Sequence, residues 1–155
     1  MKRIDDSFVF RGIEFKNRLI ASPIPINLSN LDGTVSDEDI SYYGSIAKSG
    51  VSYVTVGATA LSVSGHSTSR GLRCHSTNYL KGFEKLNKEI KKHANSCIQV
   101  FHAGQQINPE HTGFPPVGVE VLLSRAVGDA QALRPLSGQL NAAHHAVFSA
   151  VCPAI

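Results

Sequence analysis

The segment IQVFHAGQQ, residues 98–106, places a carboxamide inside an apolar run. Ile98, Val100 and Phe101 have the β-branched and aromatic side chains typical of a strand, whereas Gln99 stands where a simple core would carry a valine. A carboxamide offers a donor and an acceptor in one plane, and inside a fold it needs a partner. Two interpretations follow: an internal hydrogen bond to another strand, or a ligand that binds at the end of this strand.

Two other strand-like segments also end in small or polar residues. LIASPI ends in Ser22-Pro23-Ile24, and VSYVTVGAT ends in Gly57-Ala58-Thr59. The carboxyl ends of parallel strands lie at one edge of a sheet, which is where such folds bind their ligands. Small residues permit close approach of a backbone to a ligand. The three segments therefore predict one shelf, with a flat ligand lying across it.

The intervening segments have helical patterns that would hold these strands parallel. SDEDISYYGSIAKSG begins with the capping pattern Ser36-x-x-Asp39 and stops at Gly50. TNYLKGFEKLNKEIKKHA has one apolar face, formed by Leu80, Phe83, Leu86 and Ile90. FVFRGIEF predicts a hairpin that turns at Arg11-Gly12. Strand, helix, strand, helix, strand is the order of a parallel α/β sheet or barrel.

Composition limits the class of protein. The chain has 155 residues, fewer than the roughly 250 of a closed eight-stranded α/β barrel. A net charge of +3 does not indicate nucleic acid or an anionic membrane as a partner. The sequence has no signal-peptide pattern and no apolar run of membrane-spanning length, so we expect a cytoplasmic protein. Its three cysteines have no metal-ligand spacing, which predicts reduced thiols and no metal site.

Several other polar residues have ordinary structural interpretations. His102 is expected to form a hydrogen bond at a strand end, because no carboxylate lies nearby in the sequence. Four histidines are expected in solvent on loops or at helix ends: His66, His75, His93 and His111. The segment Arg70-Gly71-Leu72-Arg73 predicts a mobile basic loop.

Taken together, three segments resemble the N-terminal part of the old yellow enzyme family, in its dienoyl-CoA-reductase-like branch. The segments are FKNRLIASPI, DGTVSDEDISYYGSIAKSGVSYVTVGATAL and GFEKLNKEIKKHANSCIQVFHAGQQ. They occur in the family's order and spacing from about Phe8 to Gln106. The resemblance implies a TIM (β/α)₈ barrel family, represented by its first three βα units after an N-terminal hairpin and followed by a divergent C-terminal tail.

The resemblance also implies a cofactor and its contacts. Members of the family carry FMN, which takes hydride from NADH or NADPH and passes it to an activated alkene such as an α,β-unsaturated carbonyl. Carried over by position, the flavin contacts fall on Ser22, Pro23, Ile24, Ala58 and Gln99. Gln99 would hydrogen-bond the pyrimidine side of the flavin. No catalytic residue is carried over.

This chain departs from the family at several of the matched positions. Gln105 follows His102-Ala103-Gly104 where relatives carry arginine. Pro25 stands where some relatives have a redox-tuning cysteine or threonine, Asn27 where they have a substrate-binding tyrosine, and Gly57 where an acid is common. These differences bear on flavin tuning and substrate choice.

Beyond Gln106 the resemblance is lost. We therefore divide the chain into residues 1–106, the N-terminal part of a flavin-binding barrel, and residues 107–155, a divergent tail. His144 and His145 are adjacent and do not match the family's His-x-x-His or His-x-x-Asn pair. These observations predict a truncated oxidoreductase that is inactive alone. The alternative is a non-catalytic product that associates with another chain through an exposed sheet edge.

Overall fold

The computed structural model of the chain describes residues 2–117, which form two small sheets and three α-helices. The strands are β1 (Phe8–Phe10), β2 (Ile13–Phe15), β3 (Ile20–Ala21), β4 (Tyr53–Ala60) and β5 (Asn95–Phe101). The helices are α1 (Asp37–Lys48), α2 (Leu80–Ile90) and α3 (Pro109–Thr112). Short 3₁₀ turns cover Thr77–Tyr79 and Gly104–Gln106. The pair His144–His145 lies outside the described residues.

The predicted hairpin is confirmed. β1 and β2 pair antiparallel, with Phe8 opposite Phe15. Arg11 and Gly12 both have positive φ, 48° and 79°, as a two-residue turn of type I′ requires. The Phe15 ring stacks on Tyr53 with 5.5 Å between centroids, so the hairpin lies beside the beginning of β4.

The second sheet has the order β3-β4-β5, with both pairings parallel. Its first strand is shorter than the segment LIASPI suggested, because only Ile20 and Ala21 are in the ladder. Pro23 and Pro25 have no N–H to donate, so the chain leaves the ladder before them. β5 starts at Asn95, three residues before the apolar run that predicted it.

Both long helices form where the sequence predicts them and cover one face of this sheet. Ser36 accepts a hydrogen bond from Asp39 N–H, and Asp39 accepts one from Ser36 N–H, which completes the capping box of α1. α2 buries Phe83, Leu86 and Ile90. The core beneath the helices comprises Tyr43, Ala47, Val54, Val56, Leu72, Cys74, Tyr79, Phe83, Leu86 and Ile90.

The opposite face of the sheet is open in the described residues. Ile20, Tyr53 and Thr55 line a cavity of about 720 Å³ together with residues of the hairpin. Ile20 is 56% exposed, although it is an isoleucine in a strand. Residues 2–117 therefore form three parallel strands with helices on one side, without closure into a barrel. No helix among these residues is long and apolar enough to cross a bilayer.

Candidate flavin site at the carboxyl edge of the sheet

A β-bulge brings Ala58 beside Gln99. β4 and β5 stay in register from Tyr53–Asn95 to Val56–Ile98, and pairing then resumes at Thr59–Val100. Gly57 and Ala58 therefore stand opposite the single residue Gln99. A bulge of this kind bends the strand and leaves backbone groups outside the ladder, and bulges are frequent beside ligand sites. Two of the predicted contact residues are thus neighbours across the ladder.

The side chain of Gln99 lies on the open face of the sheet. Its neighbours Ile98 and Val100 pack against the core beneath the helices, so Gln99 must point the other way. Cys97, also on this face, lies 3.7 Å from the Thr55 hydroxyl, measured from Sγ to Oγ1. Gln99 is exposed, and its carboxamide makes no hydrogen bond within residues 2–117. Of the two interpretations of this residue, the internal hydrogen bond is therefore not found in the described part of the chain.

The exit of β3 meets the same bulge. A Cβ atom at Gly57 would overlap the carbonyl group of Ile24, so the two backbones are in contact at that point. The Tyr43 hydroxyl joins them, since it accepts a hydrogen bond from Gly57 N–H at 2.8 Å and donates one to the Ile24 carbonyl oxygen at 3.3 Å. Ser22 and Ile24 are exposed, and Pro23 is half-buried. The structure thus brings the ends of all three strands together.

Tyr43 was missed as a site residue. Its place in the sequence, between Ile40 and Ala47 on the apolar face of α1, indicates core packing, and the ring is indeed only 2% exposed. Burial, the largest cause, raises the pKa of its hydroxyl to about 12, and the nearby Asp39 carboxylate adds to the shift. The hydroxyl therefore stays protonated at neutral pH and can donate. A tyrosine among apolar positions is the available signal, because a buried phenol needs a partner.

The expectation of a solvated His66 is wrong. His66 is 4% exposed, and its Nδ1 lies 2.8 Å from the Val63 carbonyl oxygen. Burial is the main cause that lowers the pKa of this imidazole, and Arg73 lowers it further. Its Nε2 has no partner in the described residues. His66 and Tyr43 both line a cavity of about 20 Å³ beside Gly57 and Ala58, large enough for about one water molecule.

The loop after β4 is also better anchored than its composition indicated. Arg70 donates to the carbonyl oxygens of Ser29 and Leu28 at 2.9 and 3.1 Å. Arg73 N–H donates to the Gly33 carbonyl oxygen at 3.0 Å, and residue 73 also forms a bridge to Ala60. These arginines bind the loop to the segment after β3, whereas the sequence predicted a mobile basic loop.

The remaining polar candidates have structural roles. His102 Nδ1 accepts a hydrogen bond from Gly104 N–H at 3.1 Å, in agreement with its predicted role at a strand end. Asn27, at a φ of 53°, accepts a hydrogen bond from the Thr68 hydroxyl at 2.7 Å. Cys74 and Cys97 are free thiols. Within residues 2–117 no cluster of histidine, cysteine or acidic side chains could hold a metal ion.

Comparisons with known proteins agree on one family. A model described as the NADH:flavin oxidoreductase / NADH oxidase family matches residues 8–133, which continues past the limit of the resemblance at Gln106. An NADPH dehydrogenase of Bacillus cytotoxicus is 31% identical over 101 residues, covering 64% of this chain and 29% of the relative. An NADH oxidase of Thermoanaerobacter brockii is 32% identical over 109 residues, covering 68% of this chain and 17% of the relative. The chain thus spans less than a third of these two relatives.

Solved structures agree on the fold. The old yellow enzyme homologue of Zymomonas mobilis superposes with a TM-score of 0.68 at 16% identity, covering 74% of this chain and 32% of that one. The old yellow enzyme of a Pichia species gives 0.65 at 21% identity, covering 69% of this chain and 28% of that one. Residues 2–117 accordingly have the architecture of part of a TIM barrel. The chain belongs to the NADH:flavin oxidoreductase / NADH oxidase family.

Proposed function

We propose that this chain supplies one wall of the FMN site of an NAD(P)H-dependent ene-reductase. The contacts proposed for the flavin ring are Ser22, Pro23, Ile24, Ala58 and Gln99. The observation that supports this most strongly is the bulge at Gly57–Ala58, which stands opposite Gln99 and against the backbone of Ile24. Family membership supports the choice of FMN and of NADH or NADPH as reductant.

The residues at this edge fit a flat heteroaromatic ligand. Gln99 has an exposed carboxamide without a partner in the described residues, so it can donate to and accept from a ring edge without breaking a bond. Ala58 and Gly57 add no bulk beside it. The Ser22–Ile24 segment leaves the ladder early and lies along the same edge.

FMN, when bound, supplies hydride transfer between a nicotinamide and an activated alkene. The chain supplies position and polarity. With FMN bound, the Gln99 carboxamide would donate to the pyrimidine edge of the ring, and a donor already in place there would favour negative charge on the flavin without reorganisation. One relative is an NADH:acrylate oxidoreductase of Vibrio harveyi, 30% identical over 115 residues, which cover 73% of this chain and 11% of the relative. An α,β-unsaturated carbonyl compound is the substrate class we propose.

The described residues form only one side of such a site. β3 and β5 each pair with β4 alone within residues 2–117, and the inner face of the sheet is open. We therefore infer that the 155-residue chain binds FMN weakly and does not oxidise NAD(P)H alone. We also propose a division of the chain at residue 106. Residues 1–106 form one wall of the flavin site, and residues 107–155 are a divergent tail.

The test is a titration of the purified 155-residue chain with FMN, followed by flavin fluorescence, together with an NAD(P)H oxidation assay. We expect saturable but weak binding and no oxidation. Yellow protein that retains FMN through gel filtration and oxidises NAD(P)H would overturn the inference that this chain is inactive alone. Absence of any saturable FMN binding would overturn the assignment of a flavin site to this edge of the sheet.

A second candidate function is association through the open sheet, with another copy or with a full-length relative. Exposed apolar side chains beside the open face favour it: Phe10 is 60% exposed and Ile20 is 56% exposed. Edge strands with unpaired backbone groups are templates for pairing with another chain. Light scattering across a concentration series is the measurement. A monomer at all concentrations that also fails to bind a full-length relative would exclude this function.

A further inference from the structure

The Tyr43 hydroxyl replaces a hydrogen bond in the ladder between β3 and β4. Ile20 pairs with Tyr53 and Ala21 with Val54, so a continued ladder would bring Ile24 opposite Gly57. The ladder does not continue, and the phenol hydroxyl links those two residues instead, with 2.8 Å to Gly57 N and 3.3 Å to Ile24 O. One hydroxyl thus satisfies a donor on one strand and an acceptor on the other.

From this arrangement we infer that Tyr43 is a positioning residue for the flavin site, which sets the distance between the Ser22–Ile24 segment and the Gly57–Ala58 bulge. The inference rests on the proposed function. It gives a role in the flavin site to a residue of α1 that does not itself contact the flavin. Its action is indirect, through the two backbone segments whose spacing it fixes.

The phenol is held firmly enough to fix a distance. Its ring is buried, and Tyr42 packs against it edge-on with 5.2 Å between ring centroids. The hydroxyl thus extends from the buried face of α1 to the carboxyl edge of the sheet.

Loss of the hydroxyl would leave two backbone groups without a partner at the point where the strands diverge. The Gly57 N–H is buried, so it would have to find water or shift toward the Ile24 carbonyl. Because Gly57 already touches the Ile24 backbone, that shift moves the bulge and with it the position of Ala58 relative to Gln99. A ring that bridges these residues would then fit less well.

The experiment compares four forms of the full 155-residue chain: wild type, Tyr43→Phe, Tyr42→Phe and Ser36→Ala. The measurements are the dissociation constant for FMN, the midpoint of urea unfolding and the exchange rate of the Gly57 amide hydrogen by NMR. Ser36→Ala is the matched control for stability, because it weakens the same helix at its cap, away from the hydroxyl. Tyr42→Phe is the control for loss of a phenol hydroxyl, because it removes one from the residue adjacent to Tyr43.

For Tyr43→Phe we expect roughly five-fold weaker FMN binding, the effect of about one neutral hydrogen bond, and faster exchange at Gly57. Ser36→Ala and Tyr42→Phe should keep the wild-type FMN affinity. Wild-type affinity in Tyr43→Phe, or an equal loss in Ser36→Ala, would overturn the positioning role and leave the flavin site standing. A wild-type chain without saturable FMN binding would instead overturn the proposed function, and this inference with it.

Discussion

Gly57 lies so close to Ile24 that a side chain at residue 57 would overlap the carbonyl oxygen of Ile24. The contact is between two backbones, so neither partner can turn away as a flexible side chain would. It is the point at which the first two strand ends meet, and it leaves no room for a side chain at residue 57.

Gly57→Ala should destabilise the fold by about 1–3 kcal/mol, because the Ile24 backbone must move to admit the methyl group. Urea unfolding measures the loss, and FMN titration should show weaker binding. Gly44→Ala is the matched control, since its Cβ would meet only the movable Glu89 side chain and alanine favours the helix by up to about 1 kcal/mol. Equal stability of Gly57→Ala and wild type would contradict the close contact.

Gln99→Leu should weaken FMN binding while leaving the stability of the fold nearly unchanged. The carboxamide is exposed and has no partner within residues 2–117, so the free energy of unfolding should change by less than about 0.5 kcal/mol. FMN binding should weaken by roughly three- to ten-fold, because the ring loses a hydrogen-bonding partner. Lys85→Ala on the exposed face of α2 is the control for binding. Unchanged FMN affinity in Gln99→Leu would argue against this residue as a flavin contact.

The alkaline limit of stability should depend on Tyr43. Burial raises the pKa of its phenol to about 12, from about 10 in the unfolded chain, so the folded state binds more protons between these values. The stabilising contribution is complete below pH 10 and is lost as the pH rises to about 12. Urea unfolding at intervals from pH 8 to 11 should show a steeper decline for wild type than for Tyr43→Phe.

The buried thiol of Cys74 also affects stability at alkaline pH, and comparing the two chains removes its contribution. Burial raises its pKa to about 12, so it also lowers stability at alkaline pH, but equally in wild type and Tyr43→Phe. The difference between the two curves therefore isolates the phenol. Parallel curves would show that the hydroxyl titrates normally.

The capping box of α1 should contribute measurably to stability. Ser36→Ala removes the hydroxyl that accepts from Asp39 N–H at 3.0 Å, with an expected loss of about 1 kcal/mol by urea unfolding. Ser41→Ala is the control, because Ser41 is exposed within the same helix. If the two variants lose the same stability, the loss does not come from the cap.

Phe83→Ala should be the most damaging of these substitutions. The ring is 1% exposed between α2 and the sheet, and its removal should cost about 3–5 kcal/mol. Phe10→Ala removes the same ring from a position that is 60% exposed, so its cost should be below about 1 kcal/mol. Circular dichroism and urea unfolding report both. A similar loss at the two positions would mean that the helix face is not the core.

Local sequence patterns determined the secondary elements. The hairpin turn, the α1 cap and the α2 face depend on residues a few positions apart, and each formed where its residues predicted it. The parallel order of the three strands also followed from the alternation of strands and helices, because a crossover helix brings successive strands into one sheet.

Only the tertiary structure decided how the strand ends meet. The bulge opposite Gln99 depends on pairing between segments about 40 residues apart, and the Tyr43 bridge depends on a helix placed against two strand ends. The burial of His66 and the anchoring of Arg70 and Arg73 depend on a loop that folds back on the segment after β3. Such contacts leave no periodic trace in the chain, since they join residues of unrelated local pattern. The sequence by itself therefore determined which elements form and which strand ends share one edge, while long-range packing decided which atoms meet there.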